Sequence, residues 1–370
     1  MSRKPKNLFA FLSLLLVVNL ACATLGTPPT ATPVPTNTPK PTNTPVPTAT
    51  PITLFVDGVA KDALEETVFE HASGAFEFNA PKGWEITEDD NDVFIKSSES
   101  VYFYIAVTNT GFELSADEYG NFIQNTEDFF YGYRDGYNET SRESHPNINL
   151  EIIQKTYPSH SGDTFFVSSI YQQFGQAILI VEMIGKYDEI LSNPSYSQIF
   201  NAFYQSLTIF SETVATLPVY GLKWSYETSD QAYSIDLPQG WKYDNYDVTI
   251  GFNFQEQLAS PDEHAVIQIF SIPDGTLKTD LKSVEEFSLI LLNNAYTNGA
   301  NDVEVVDRGQ EPNRVLYEWK SASNAFSGYA YVFEKTSSAE AWMFIMFWDD
   351  AFEDIYRQPA LDILTSLIIN

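Results

Sequence analysis

Alternating apolar and polar positions, together with short apolar runs, divide residues 64–370 into predicted β-strands. Alternation places every second side chain on one face of a strand, and a short continuous run fits a strand that is buried on both faces. Short polar segments join many of these strands, which favours antiparallel pairing. The predicted strands are 76–79, 93–96, 101–108, 150–156, 164–172 and 177–184, followed by 233–237, 248–254, 265–271, 303–307, 314–320, 329–334 and 341–348.

Two helices are predicted where a serine stands three residues before a glutamate. Ser115 with Glu118, and Ser283 with Glu286, form capping boxes, in which both side chains bond the unpaired N–H groups of a helix start. After the first box, apolar and aromatic side chains recur every three or four residues, as on one helix face. They are Tyr119, Phe122, Ile123, Thr126, Phe129, Phe130, Tyr133 and Tyr137.

A closing helix is predicted at the end of each strand set. These helices cover residues 196–209 and about 352–369, with Pro359 at a break or restart of the second. Capped and closing helices would both cover the antiparallel strands, so the pattern predicts an α+β fold.

Three short motifs occur twice along the chain, in the same order. Pro-x-Gly-Trp stands at 81–84 and 238–241, Ser-x-acid-Glu-aromatic at 115–119 and 283–287, and Ser-Leu-x-Ile at 206–209 and 366–369. Recurrence in one order predicts two consecutive copies of one domain, at residues 64–211 and 220–370. We call these the first half and the second half.

The repeated Pro-x-Gly-Trp motif predicts a tight turn after a strand. Pro81 and Pro238 fit the second position of a type I turn, with the following glycine at the fourth. Such a turn would direct Trp84 and Trp241 inward, so we expect both indoles in the core.

The N-terminal segment predicts export. Three basic residues precede an apolar run at 8–18, which is shorter than a bilayer span and fits a signal peptide at residues 1–21. The run ends in Asn-Leu-Ala-Cys, which resembles a bacterial lipoprotein processing box with Cys22 as the lipid attachment site. Ordinary cleavage after Ala23 is the alternative.

Cys22 is the only cysteine of the chain, so it has no partner for an internal disulfide, and lipidation is the favoured use. Residues 22–53 then form a Thr/Pro-rich segment with almost no long apolar side chains. Proline favours extended polyproline II, which at about 3.1 Å per residue would reach roughly 90 Å. We expect a stalk that holds the rest of the chain away from the membrane.

Composition and charge narrow the function classes. The chain has 370 residues, is 44% hydrophobic, and carries 50 acidic against 20 basic side chains, a formal charge of -30. Phosphate-rich partners such as nucleic acid and anionic membrane surfaces are disfavoured, whereas cations or basic proteins fit better. The excess charge also fits a simple solubilising role in an exported protein.

The order of elements resembles the PsbP-like domain, named for an extrinsic subunit of photosystem II. The resemblance rests on a strand ending in Pro-x-Gly-Trp, a capped helix, antiparallel strands and a closing helix ending in Ser-Leu, and it covers both halves. It implies two copies of an α-β-α sandwich with a central antiparallel sheet. It also implies a non-catalytic binding or assembly module outside the cytoplasm, and it identifies no ligand-binding residue.

The residues give weak signals for catalysis or metal binding. The four histidines, His71, His145, His160 and His264, are scattered and are expected at the surface, including the one three residues before Asp163. Acidic residues at 88–92 lack the pattern of a calcium loop, and those at 349–354 fit the positive end of a helix dipole. We predict no catalytic residue, no metal site and no cofactor.

The aromatic run at 129–137 is the one feature that points to a ligand. It places five aromatic side chains beside Arg134, an arrangement that could stack on sugar rings. The alternative is that some rings fill the core while others lie between the two halves.

These patterns favour a non-catalytic, lipid-anchored extracytoplasmic protein that binds or assembles an envelope protein complex. Its expected contacts are an unknown envelope protein and the membrane through the lipid, with no nucleic acid. A cell-envelope polysaccharide-binding protein is the first alternative. A hydrolase that uses acidic residues is the second.

Overall fold

The computed structural model describes residues 60–369, with gaps at 90–91, 98–99, 160, 222, 228–232, 246–253, 273–285, 287–288, 291, 294–302, 312–313, 322–324 and 336–339. All described residues belong to one compact unit, Ile52–Asn370. The predicted signal peptide, Cys22, the stalk, His160 and Ser283 lie outside the described residues.

Ten strands belong to the first half. They are β1 (Leu64–Glu70), β2 (Phe76–Pro81), β3 (Glu85–Asp89), β4 (Asp92–Lys96), β5 (Tyr102–Asn109), β6 (Asn138–His145), β7 (Leu150–Pro158), β8 (Thr164–Phe174), β9 (Ala177–Lys186) and β10 (Thr208–Ile209).

The described part of the second half has ten more strands. They are β11 (Lys223–Glu227), β12 (Tyr233–Pro238), β13 (Lys242–Asn245), β14 (Phe254–Ala259), β15 (Ala265–Ile272), β16 (Val303–Glu311), β17 (Arg314–Ser321), β18 (Phe326–Lys335), β19 (Glu340–Asp349) and β20 (Ile368–Ile369).

The described α-helices with continuous bounds are α1 (Ala116–Glu127), α2 (Tyr187–Ser192), α3 (Ser195–Ser206), α4 (Ser211–Val214) and α5 (Glu353–Ser366). A π-helical turn, Asp128–Gly132, follows α1 directly. The Ser115 capping box is present, because Ser115 Oγ accepts from the Glu118 N–H at 3.4 Å and Glu118 Oε2 accepts from the Ser115 N–H at 2.6 Å. The predicted start of this helix is therefore confirmed.

Each half contributes one seven-stranded antiparallel sheet and one three-stranded sheet. The first large sheet has the order β3-β4-β5-β9-β8-β7-β6, and the second has the order β13-β14-β15-β19-β18-β17-β16. The small sheets are β1-β2-β10 and β11-β12-β20. The predicted α+β class is confirmed, and the strand order of the second half repeats that of the first.

The two large sheets also share an irregularity in the same ladder. In the first sheet the register between β6 and β7 shifts directly after the pair Glu139–Lys155, and in the second it shifts between β16 and β17 directly after the pair Val305–Trp319. A β-bulge inserts one extra residue into one strand. Because the bulge lies at the same place in both ladders, it shows which residues of one sheet correspond to which residues of the other.

The repeated motifs meet in space at the start and end of each half. Ser206 Oγ accepts from the backbone N–H of Asn79 at 3.0 Å, and Ser366 Oγ accepts from the backbone N–H of Asp236 at 2.9 Å. Asn79 and Asp236 each stand two residues before the proline of Pro-x-Gly-Trp. The Ser-Leu-x-Ile serine thus bonds the strand that carries the other motif, which explains why both recur together.

The turn at each Pro-x-Gly-Trp differs from the predicted type. Trp84 N donates to Pro81 O at 3.2 Å and Trp241 N to Pro238 O at 3.3 Å, so proline occupies the first position of the turn. Each glycine then occupies the third position, with φ of +74° in the first half and +83° in the second. A positive φ there is the requirement of a type II turn, and the type I prediction was wrong.

The closing helices are shorter than predicted, and Pro359 lies inside one of them. α3 ends at Ser206 and α5 at Ser366, after which two residues form β10 and β20 on the small sheets. The predicted break at Pro359 was wrong, because α5 continues through it with the proline ring buried.

The strands missed by the sequence pattern all lie at sheet edges. They are β1, β3, β6, β10, β11, β13 and β20. An edge strand needs no fully apolar face, and every residue of β6 up to Ser144 is exposed. Strand β14 was predicted at 248–254 but begins at Phe254 in the structure. Residues 248–253 lie outside the described part of the chain.

Each large sheet has packed residues on both faces. In the first half, Phe200 and Phe203 of α3 pack on one face with Phe103, while Phe122 and Ile123 of α1 pack on the other. The α1 side continues into the core of the second half, where Trp241, Phe344 and Tyr356 belong to the same apolar cluster. Trp241 is buried, whereas Trp84 is only half-buried, against Phe103 at 4.7 Å between ring centroids.

Gly240 lies in close contact with α1 at the junction between the halves. A Cβ atom placed there would lie 2.1 Å from Cδ2 of the fully buried Phe122 on α1. Two amides of α1 add bonds to the second half: Asn125 Nδ2 donates to Gly240 O at 2.8 Å, and Asn121 Nδ2 donates to Pro261 O at 3.0 Å. Helix α1 is therefore held by both halves.

We expect Gly240→Ala to lower the free energy of unfolding by about 1–3 kcal/mol more than Gly83→Ala. Both glycines have a positive φ, so the backbone strain of alanine is shared, but Gly83 has no neighbour within 4 Å of its Cβ position. The measurement is urea unfolding of both variants followed by tryptophan fluorescence. Equal losses of unfolding free energy in the two variants would show that Phe122 can move aside without destabilising the protein, contrary to this prediction.

Candidate functional site

A buried charged cluster lies between the first large sheet and the end of α1. Lys155 on β7 is fully buried, and its Nζ bonds Oε1 of Glu127, the last residue of α1. The same ammonium lies 3.6 Å from Oε1 of Glu182 on β9 and 3.7 Å from the ring centroid of Tyr131. Two carboxylates therefore share one lysine inside the protein.

Hydroxyl groups complete the bonding of the two carboxylates. Tyr171 donates to Glu127 Oε1 at 2.7 Å, and Tyr131 donates to Glu182 Oε2 at 2.8 Å. Ser169 donates to Glu182 Oε1 at 2.5 Å. Buried charge is tolerated only when such bonds replace the lost water, so the cluster is a saturated network.

The π-helical turn after α1 places one of these donors. In an α-helix, residues 127 and 131 would lie on the same face one turn apart, and the wider i→i+5 turn changes this spacing. In the structure Glu127 reaches Lys155, while Tyr131 reaches Glu182 from the next turn. Gly132 closes the turn, with its Cβ position 3.1 Å from Asp128 Oδ1.

Burial controls the protonation of this cluster. Desolvation raises the pKa of Glu127 above its ordinary value, against the opposing effect of Lys155 and the tyrosine bond. Desolvation, reinforced by the nearby carboxylates, also raises the pKa values of Tyr131 and Tyr171 well above their ordinary range. The tyrosines therefore stay protonated and keep donating.

The second half has an apolar core at the corresponding positions. Lys155 and Trp319 stand at the same position relative to the bulge of their own sheet. Across the following strands, this alignment places the pair Ser169–Glu182 at the position of the pair Ala330–Ile345. All three residues of the second half are buried and apolar. The fold does not require a charged cluster here, so the first half carries it as a feature of its own.

The second half contains a different buried acid. Tyr233 and Tyr243 both donate to Glu256, and Tyr226 donates to it at 3.4 Å. Lys242 and Glu85 each follow the motif tryptophan, and they pair with Ala259 and Lys96 on the next strand. Three residues before these partners, Glu256 stands at the position of Val93. The acid of one half thus corresponds to a fully buried valine in the other.

The aromatic run 129–137 divides between three environments. Phe130 contacts Trp224 of the second half at 4.5 Å between ring centroids, and Phe129 packs against the shared core. Tyr131 lies in the charged cluster, while Tyr133 is 70% exposed. Part of the run does lie between the halves, as the packing interpretation predicts, and part faces solvent beside Arg134.

The histidines occupy three described environments. His71 is buried, contrary to the predicted surface position, because its ring stacks on Phe76 at 4.5 Å and Nε2 donates to Asp89 O at 3.0 Å. His145 lies beside Glu143 at 3.0 Å, and the ring of His264 stacks on Phe352 at 3.9 Å.

Of the acidic segment 88–92, Glu88 accepts from Ala72 N and the buried Asp92 accepts from Tyr104. At the second acidic group, Asp349 accepts from the N–H of Ala351, a capping role. Among the described residues, no group of three His, Cys, Asp or Glu side chains is arranged to hold a metal ion. Within this same part of the chain, no helix has the length and apolar character of a membrane span.

Sequence patterns did not single out Glu127, Lys155 or Glu182. A signal was present, since Glu182 interrupts the apolar run 177–184 and Lys155 stands within a predicted strand. A charge in a strand that is buried on both faces implies a partner, but the chain order does not show that the partners come from three separate elements.

Comparisons with known proteins find similarity to solved structures at low sequence identity. No family model matches the chain, and neither does any curated protein. Cyanobacterial PsbP (CyanoP) from Synechocystis is 12% identical, with a match over 40% of this chain and 92% of that chain at a TM-score of 0.32. LpqN, involved in cell envelope biogenesis of Mycobacterium tuberculosis, is 11% identical over 40% of this chain and 91% of its own, with a TM-score of 0.28.

A protein from Bacteroides thetaiotaomicron is 12% identical and has a TM-score of 0.27. The match covers 46% of this chain and spans about half, 52%, of that chain. A PsbP structure is thus among the proteins to which part of this chain is similar. At these identities and TM-scores the similarities assign no function to the chain.

We expect Lys155→Met to lower the free energy of unfolding by about 3–5 kcal/mol, because it leaves two buried carboxylates without their cation. The control is Lys320→Met, which removes an exposed lysine paired with Glu304 at 3.9 Å and should cost less than about 1 kcal/mol. Chemical unfolding of both variants measures the difference. Similarly small losses of unfolding free energy in both variants would mean that the buried cluster contributes no more to stability than an exposed ion pair does.

Glu127→Gln should change the pH dependence of stability in a defined direction. The unfolded Glu127 loses its proton near 4.5, whereas burial keeps the folded group protonated to higher pH. The stability of the wild type should therefore fall relative to Glu127→Gln as pH rises above 4.5, and the difference should level off once the folded group has ionised.

Glu139→Gln serves as the opposite control, because the bond from Arg142 lowers the pKa of Glu139. For that residue the wild type should gain stability relative to the variant as pH rises toward 4.5. Unfolding curves recorded between pH 3 and pH 8 test both signs, and the same sign for both residues would contradict this account.

Proposed function

We propose that this chain is a non-catalytic, lipid-anchored extracytoplasmic protein that acts as a binding or assembly module for an envelope protein complex. The lipid is attached at Cys22, and the segment 22–53 is the spacer that separates the anchor from the folded unit. The coarser part of this proposal, a two-sheet α+β body, is what the described residues show.

The observation that carries the proposal is the continuous core between the halves. Phe122, Trp241 and Tyr356 belong to one apolar cluster, and the amides of Asn121 and Asn125 bond the second half directly. Two sandwiches joined in this way present their outer surfaces in a fixed relation. A body of fixed shape binds large partners at a lower entropic cost than two domains on a flexible linker.

The chemistry of the buried cluster supports a structural role over a catalytic one. The amine of Lys155 forms ion pairs with Glu127 and Glu182, and both carboxylates accept hydrogen bonds from tyrosine hydroxyl groups. A general acid or base must reach the proton that it transfers, and these groups face the interior. Their contribution is to fix the end of α1 on the sheet.

Acidic surface charge supports a basic or neutral protein partner. The formal charge of -30 repels phosphate-rich surfaces, and it would steer a basic partner toward the folded unit. The same repulsion from anionic lipid would keep the unit away from its own membrane.

Polysaccharide binding is the second candidate, and one observation favours it. Tyr133 is 70% exposed beside Arg134, Tyr157 and Phe165, so aromatic rings do reach the surface of the first half.

Attachment at Cys22 is tested with the full-length chain and its Cys22→Ser variant. We expect the wild type to incorporate labelled fatty acid and to sediment with membranes, because acyl chains partition into the bilayer. The variant should do neither. Labelling of Cys22→Ser, or a wild type without label, would contradict the anchor.

Partner binding is tested by solubilising membranes in mild detergent and capturing the full-length lipidated chain through a tag at its C-terminus. We expect one protein complex to co-purify in constant stoichiometry and to be lost with Gly240→Ala, which disturbs the junction. Gly83→Ala, which keeps the junction, should retain it. Recovery of glycan without protein would overturn the proposed binding of a protein complex and would favour polysaccharide binding.

A further inference from the structure

A tyrosine–arginine surface lies just outside the buried charged cluster. The guanidinium carbon of Arg134 lies 4.6 Å from the ring centroid of Tyr157 and 5.3 Å from that of Tyr133. Tyr157 stacks with Phe165 at 5.7 Å with an interplanar angle of 11°, and it contacts Tyr131 of the cluster at 5.7 Å. We call Tyr133, Arg134, Tyr157 and Phe165 the aromatic–arginine surface.

Arg134 is held in place but keeps its terminal amines available. Its Nε donates to Phe130 O at 3.0 Å, and the two rings fix the plane of the guanidinium. Arg142 and Arg357, by contrast, each bond two carboxylates. Within the part of the chain that the structure describes, Arg134 has no carboxylate at ion-pair distance, in a protein where acids outnumber bases by 50 to 20.

A second cation lies beside this surface. Phe165 pairs with Lys186 across the ladder between β8 and β9, so the two side chains share a face of the sheet. Lys186 forms a solvent-exposed ion pair with Asp163 at 3.0 Å, which is of low energetic value and easily exchanged. The aromatic rings thus lie between Arg134 on one side and the ion pair of Lys186 with Asp163 on the other.

The position of the surface limits the kind of ligand. Strand β8 has no free edge here, because Phe165 pairs with Tyr157 of β7 on one side and with Lys186 of β9 on the other. An extended peptide would need a free strand edge to add its own backbone bonds. Recognition here must use ring faces and side-chain charge, which match a ring that has an apolar face and carries an anionic group.

We propose that the aromatic–arginine surface binds a carboxylate-bearing sugar of a glycan. The ring of Tyr133 packs against the apolar face of the sugar, and the terminal amines of Arg134 bond its carboxylate in the bidentate geometry that guanidinium favours. Tyr157 and Phe165 support the guanidinium from below, and Lys186 adds charge at the far side. This is a second binding site, independent of the protein partner proposed above.

Calorimetric titration of the full-length chain with galacturonate oligomers tests the site, with neutral galactan oligomers of equal length as the matched ligand. We expect galacturonate to bind at least about tenfold more tightly than galactan, since a charge-assisted bidentate pair discriminates by that order. Added salt should weaken the galacturonate binding.

Arg134→Gln should lower galacturonate affinity about tenfold or more, and Arg134→Lys should recover part of it, because lysine restores the charge without the fork. Tyr133→Ala should weaken binding to both oligomers. Because Tyr133 is mostly exposed, this variant is expected to fold. Tyr187→Ala, a partly exposed tyrosine outside the surface, and Arg142→Gln are the controls, and their affinities should stay within about twofold of the wild type.

Four results would overturn the site: no binding of galacturonate, equal binding of galactan, an unchanged affinity in Arg134→Gln, or equal binding of an oligoglutamate peptide. The last result would identify a peptide site of general anionic preference. Thermal unfolding of each variant checks that a lost affinity does not reflect a lost fold.

Discussion

The structure depends on one close contact, between Phe122 on α1 and the bare backbone of Gly240. The glycine meets two demands together, because its φ of +83° suits a type II turn and its lack of a side chain leaves room for the phenyl ring. Through this contact α1 covers its own sheet and also belongs to the core of the second half. The two halves consequently form one body, which is the basis of the binding role proposed here.

The two halves have the same strand order but place buried polar groups at different points. Lys155 and Glu182 lie on one face of the first sheet, opposite Glu127 at the end of α1, and the second half has buried apolar residues where Lys155 and Glu182 stand, while Glu256 of the second half corresponds to Val93. Buried ionic groups contribute little net stability compared with apolar residues of similar size. Their retention in one half only is consistent with a role in fixing the end of α1, and with it the turn that exposes Tyr133 and Arg134.

Much of the architecture could be predicted from the sequence, and the failures share a physical cause. Most strands inside the sheets were predicted to within a few residues because their apolar pattern is strong, with β14 as the exception, whereas all seven missed strands are edge strands. The capping box located the start of α1, but the apolar spacing continued past Glu127 and did not show the π-helical turn. The charged cluster was missed because its three partners come from elements far apart in the chain. The turn type was wrong because proline fits either of two turn positions.

Each half is completed by its own last residues. The two-residue strands β10 and β20 add to β2 and β12, and the preceding serine bonds a backbone amide 127 or 130 residues earlier. If the exported chain emerges from its N-terminal end, the first half can therefore close once Ile209 has emerged, while the second must wait for Ile369. Contacts of such long sequence separation carry a large loop-closure entropy and slow the folding of a chain. A chain that folds as it emerges outside the cytoplasm would thus complete the first sheet before Trp241 and Tyr356 add their part of the shared core.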